Sequence, residues 1–152
     1  MSLPNIFTKT VSEEIINRII KLTPTTQSGW GKMNVSQMLA HCNVAYEMIY
    51  ETKHKKPNAI LRFILKVFVK NKVVGEAPYK HNSPTAPQFI MKEQKDFEVE
   101  KIRLIAYIKK TLQLGETHFD YKVSDSFGVL TKNEWSNMMY KHLNHHLTQF
   151  GV

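Results

Sequence analysis

Apolar positions recur along this chain with the three-to-four-residue period of helices. "TVSEEIINRIIKL" sets Ile15, Ile16, Ile19, Ile20 and Leu22 on one side. Thr10 or Ser12 is placed to cap its start, with Glu13 and Glu14 in the first turn, where negative charge is favoured. "TPTTQSGWGK" interrupts with proline, glycine and hydroxyl residues, a loop composition. "MNVSQMLAHCNVAYEMIYET" spaces Val35, Met38, Cys42, Ala45 and Ile49 as a second amphipathic helix, capped by Asn34 or Ser36. "KHKKPN" breaks it, and a short basic helix is expected at about residues 60–70. "VVGEAPYKHNSPTAPQF" carries three prolines and reads as an extended connection. "MKEQKDFEVEKIRLIAYIKKTLQL" aligns Phe97, Leu104, Ile105, Ile108 and Leu112 on one stripe, with Gly115 as a C-cap. "ETHFDYKVSDSFGVL" reads as a loop. "TKNEWSNMMYKHLNHHLTQF" reads as the last helix, opened by a Thr131–Glu134 capping box and followed by Gly151.

The predicted fold class is therefore all-α: four long helices in a four-helix bundle, with a long crossover between the second and third. The 152 residues are expected to form one domain, 1–152. A hydrophobic content of 42% with 22% charged residues is globular and excludes a disordered chain. The most apolar run, "AILRFILKVFV", is broken by Arg62 and Lys66 and falls short of a membrane span. "MSLPNIFTKT" is too short and too polar for a secretory leader. The single cysteine, Cys42, permits no intrachain disulfide, so a reducing, cytoplasmic compartment is expected.

The net charge of +8 directs attention to polyanions and anionic membrane surfaces as partners. Seven Lys or Arg and no Asp or Glu lie between Lys53 and Lys72. That segment reads as an interfacial membrane helix, as a nucleic-acid patch, or as a helix packing Leu61, Ile64, Leu65 and Phe68 on the bundle or a second subunit. Aromatic residues for stacking bases are sparse, which disfavours single-stranded nucleic acid. Packing with the basic face in water is preferred.

The last helix carries the candidate chemistry. With Trp135 as the origin, Met139 falls at about +40°, Phe150 at about +60° and Leu143 at about +80° on a helical projection. His146 falls at about +20° and His142 at about −20°, inside the apolar stripe, while His145 lies at about −80°, on its edge. Two inward imidazoles one turn apart either hydrogen-bond to backbone and water or share a divalent cation. On the second helix His41 stands beside the apolar stripe, with Ala45 one turn on leaving room. It is thus a third candidate ligand. Three neutral histidines with open positions suit zinc or nickel. Cys42 reads as a buried, inert thiol. Met38, Met138 and Met139 read as core fillers, and Trp30 as packing its loop or walling a pocket.

"WGKMNVSQMLAHC" at 30–42, "SPTAPQF" before the third helix and "FGVLTKNEWSNMMYKHLNHHLTQFGV" at 127–152 resemble the DinB/YfiT-like superfamily, within it a subgroup of unknown function. The resemblance covers nearly the whole chain. It implies an up-down-down-up-like bundle, often a homodimer, holding a divalent metal on three histidines, one from the second helix and two from an HxxxH on the last. Carried over, these are His41, His142 and His146. Superfamily members include S-transferases and isomerases using low-molecular-weight thiols, and metal-dependent hydrolases, all acting on small-molecule substrates. Relatives often read HPxFG where this chain reads SDSFG, with Asp125 and Ser126 in that place, so a different substrate is implied if that histidine contacts it. Asp125 is a candidate acceptor for a ligand histidine.

Overall fold

The structure is a computed structural model, described for residues 2–152. The long helices are α1 (Lys9–Lys21), α2 (Val35–Tyr50), α5 (Phe97–Phe119) and α6 (Lys132–Gln149). Between α2 and α5 the chain forms α3 (Ala59–Ile64), a π turn (Leu65–Val69), α4 (Lys70–Val74) and a 3-10 turn (Pro87–Phe89). α2 packs on α5 and α6, and α1 on the same pair. Ile15, Ile19, Met38, Leu39, Leu104, Ile108, Trp135 and Leu143 meet in the shared core. Each such side chain contributes about 1.5–3 kcal/mol through burial.

The helix starts obey local chemistry. α2 opens with a capping box in which Asn34 accepts from the Gln37 amide, and α6 with one between Thr131 and Glu134. α1 begins earlier than expected: Thr8, not Thr10 or Ser12, is its cap. Ser12 is buried instead, donating to the Ile6 carbonyl at 2.6 Å. Gly115 breaks the α5 geometry with φ 71°, and the chain then resumes for one more turn to Phe119. That turn was expected to be loop; Phe119, wholly buried, stacks on Phe7 and holds it. The rest of the expected loop forms a two-stranded antiparallel hairpin, β1 (Val123–Ser124) and β2 (Gly128–Val129), so the fold carries a minimal sheet that helical periodicity does not announce.

The crossover is fastened from α6. Lys141 is buried, and its ammonium donates to the carbonyls of Lys72, Gly75 and Ala77 at 2.7, 2.5 and 3.1 Å. Loss of solvation lowers its pKa to about 8. One residue later comes His142, so this clamp also fixes the helix face that the candidate chemistry uses. The basic helix departs from expectation. Leu65, Val69 and Val73 pack on the core, but Leu61, Ile64 and Phe68 stay in solvent with Ile60, Phe63 and Val67. Among the described residues nothing covers them: the helix touches the core along one row only. No helix among the described residues is long and apolar enough to cross a membrane.

Candidate metal centre

His41 from α2 and His142 and His146 from α6 converge, with one ring nitrogen from each lying within 4.8 Å of the others. Ring centroids are 5.0 Å apart for His41–His142, 4.5 Å for His41–His146 and 4.9 Å for His142–His146. Two ligand nitrogens on one tetrahedral zinc stand about 3.4 Å apart, given a Zn–N distance of about 2.0–2.1 Å.

The outer contacts fix which nitrogen of two rings faces inward. His41 Nδ1 lies 2.9 Å from the Phe89 carbonyl, which can only accept, so that nitrogen carries the proton. His146 Nδ1 lies 2.8 Å from Gln149 Oε1 and donates for the same reason. Gln149 cannot flip without loss, because its amide nitrogen donates to the Trp30 carbonyl at 2.6 Å. Neutral His41 and His146 therefore both present an unprotonated Nε2 to the interior. His41 Nε2 and His142 Nε2 are 3.0 Å apart, so one proton, or one cation, is needed between them. Rings anchored by Nδ1–H to a carbonyl or amide oxygen are the usual outer arrangement of histidine metal ligands.

Electrostatics keeps these rings neutral. Burial lowers the pKa of His41, with His145 adding to the effect against the Phe89 hydrogen bond. Burial and the neighbouring His41 and His145 bring His146 down to about 3, while its bond to Gln149 opposes them. His142 retains some exposed area but its ring is enclosed by Phe89, His41 and His146; burial, then its histidine neighbours, hold it well below the ordinary range. Neutral imidazole is the form that binds a metal.

Sequence context explains how Gln149 is held. In "SGWGK" Gly29 donates to the Gln149 carbonyl at 2.7 Å. Gly31 adopts φ +83°, and a Cβ there would stand 2.6 Å from the Gln149 side-chain nitrogen. Only glycine allows both the left-handed backbone and that approach. The loop thus wraps the end of α6 and sets the amide that orients His146. Gln149, three residues after His146 on one helix, was findable from spacing; the Phe89 carbonyl carries no sequence signal.

The other candidates are sorted by position. His145 stays out of the cluster and lies edge-on to Trp30 and Tyr79. Trp30 stacks on His81 with centroids 3.7 Å apart and walls a cavity. Asp125 does not orient a ligand histidine: its carboxylate pairs with Lys56 at 3.0 Å, and the acceptor roles fall to Phe89 and Gln149. Ser126 lines the same cavity. Cys42 is buried, which pushes its thiol pKa up and keeps it unreactive. Glu47 faces away from the histidines. Burial alone would raise its pKa, but hydrogen bonds from Lys53, His54 and Arg103 overcome this and hold it at about 2. The histidines open onto a cavity of about 860 Å³.

A helical protein with three histidines gathered in its interior beside a large cavity is the class that fold and geometry define. The chain belongs to the family described as protein of unknown function (DUF1569), whose model matches residues 4–151. Comparison with curated proteins and with solved structures returns no match.

Proposed function

We propose that the chain is a single-domain DinB/YfiT-like four-helix bundle, in an up-down-down-up-like arrangement, that holds one divalent ion on His41, His142 and His146. Zinc or nickel fits three neutral imidazoles best. When bound, the ion would supply Lewis-acid activation of a water or a low-molecular-weight thiol, for hydrolysis or S-transfer. The observation that carries this reading is the pair of inward Nε2 lone pairs, set by Phe89 and Gln149 from outside. A proton on His142 Nε2 would satisfy His41 alone, whereas one cation serves all three rings together.

The chain's own contribution is orientation and exclusion of water. Phe89 and Gln149 fix the ring tautomers, Lys141 fixes the crossover that bears Phe89, and the cavity gives a small-molecule substrate room beside the histidines. No carboxylate is poised as a separate base, since Asp125 and Glu47 are engaged by cations. The open cavity favours an enzyme over a closed, structural metal protein. A homodimer belongs to the same reading, with the apolar residues exposed on α3 available to a second copy.

Elemental analysis of protein purified without a nickel column tests the proposal. About one ion per chain is expected, with His142→Ala and His146→Ala each reducing it below about a tenth. Wild-type protein that neither retains nor takes up zinc, nickel or another divalent ion at micromolar concentration would refute it.

A further inference from the structure

The walls of the cavity carry information about what enters it. Met33, Met48, Met91, Met138 and Met139 all line it. The chain has seven methionines in total. The five come from the loop before α2, from α2, from the crossover and from α6, so the concentration belongs to the cavity and not to one helix. Methionine is unbranched and polarizable and fills gaps of irregular shape. A cavity walled by it on every side adapts to apolar occupants of differing outline. Met139 is buried in the core and Met138 packs against it, as expected, and both also border the cavity.

Charge on the lining is one-sided. Lys32, Lys56 and Lys80 contribute to it, against the single carboxylate of Asp125, which Lys56 already engages at 3.0 Å, while the Lys122 ammonium lies against His118. The lining leaves no carboxylate free to pair with an organic cation. The volume of about 860 Å³ is in the range of pockets that enclose drug-sized molecules.

We infer that the substrate of this centre is a predominantly apolar small molecule of variable shape, with a neutral or anionic polar group and no positive charge. The inference rests on the reading of the three histidines as the reactive end of the cavity. It deepens that reading by naming the substrate class.

The test is calorimetric titration of the full chain with hexanoate, octanoate and decanoate, and with decyltrimethylammonium, each below its micellar concentration. It is run on metal-free and zinc-loaded protein. One saturable site per chain is expected, with affinity rising about fourfold per added methylene and decyltrimethylammonium at least about tenfold weaker than decanoate. Met48→Trp and Met91→Trp fill the cavity from α2 and from the crossover and should each weaken decanoate at least about tenfold. Phe63→Ser with Phe68→Ser, on the exposed helix, should leave it unchanged; circular dichroism confirms that each variant folds. Overturning results are non-saturable binding, equal affinity for the ammonium compound, or loss of binding only in the Phe63/Phe68 variant, which would place the probes on the outer surface. Binding by the metal-free chain upholds the inference, while zinc stoichiometry separately decides the metal reading.

Discussion

Two helical segments carry most of the unusual chemistry of this chain, and they are built in opposite ways. On α6, His142 and His146 share a face with Trp135, Met139 and Leu143, and that face is covered by α2 and the crossover. On α3 and the π turn, the row Leu61–Leu65–Val69 runs along one side, Arg62–Lys66–Lys70 along the next, and Ile60, Phe63, Ile64, Val67 and Phe68 occupy the remainder. Only the Leu65–Val69 part of the first row is packed. Of the three cations in the second row, Lys70 pairs with Glu134 at 2.8 Å, while Arg62 and Lys66 have no carboxylate partner among the described residues. Periodicity says which residues share a face; it does not say whether anything covers that face. For α6 the cover comes from residues about a hundred positions away, including His41 and its bond to Phe89. For α3 the described residues provide none.

The largest expected contrast is in stability. Leu143 is 1% exposed in the α6 core. Leu143→Ala should cost about 2–5 kcal/mol, the range for truncating a large buried aliphatic side chain, read as a lowered urea midpoint at constant slope. A loss below about 1 kcal/mol would mean that the α6 face is not covered as described.

Acidification acts on α6 and α2 and spares α3. Burial holds the folded-state pKa values of His41, His142 and His146 below the ordinary 6.5, that of His146 at about 3. Unfolded histidines take up protons below about pH 6.5, and the folded ones only at lower pH, much lower for His142 and His146. Stability is therefore complete above that pH and falls as pH drops toward the folded values. Metal-free protein should lose about tenfold in its folding constant per pH unit for each such histidine below about pH 6. Zinc, by binding the folded form, should move the decline to lower pH. Denaturant titrations at pH 7.5 and 5.0, with zinc and with chelator, check both directions.

The third effect is finer. Gln149→Leu removes the acceptor that orients His146 while keeping comparable volume, and should weaken zinc binding about ten- to a hundredfold. Gly31→Ala attacks the same amide through the backbone, since a Cβ there meets the Gln149 nitrogen at 2.6 Å. Competition titration with a chromophoric chelator measures both. Unchanged affinity in both variants would detach the "SGWGK" loop from the centre.

Much of this was legible in the chain. The four long helices follow from periodicity, and the caps of α2 and α6 from Asn34 and Thr131. The inward placement of His142 and His146 follows from counting around α6. His41 was legible only as a residue beside an apolar stripe; its convergence depends on how α2 crosses α6, a tertiary matter. The outer acceptors were less visible still. Asp125 was the natural candidate because a carboxylate is a conspicuous partner for histidine, yet a backbone carbonyl and an amide do that work. The cation run at 53–72 also changed meaning. Lys53, Lys56 and Lys70 are spent on Glu47, Asp125 and Glu134, acids distant or neighbouring in sequence that a count of like charges leaves out.

The smallest effect completes the comparison. Phe63 and Phe68 are 66% and 67% exposed and belong to the face that none of the described residues covers. Replacing both by serine removes little buried area, so the single chain should change in stability by about 0.5 kcal/mol or less. Serine and phenylalanine have similar helix propensities, so the helix itself adds no further change. The measurement is the urea midpoint at two protein concentrations a hundredfold apart. A midpoint that is independent of concentration and barely moved by the substitutions describes a chain whose α3 face stays in water. If the wild-type midpoint rises with concentration and the variant's does not, a second copy covers the face. The equivalence between the two segments would then be restored at the level of the dimer: α6 covered from within the chain, α3 from outside it.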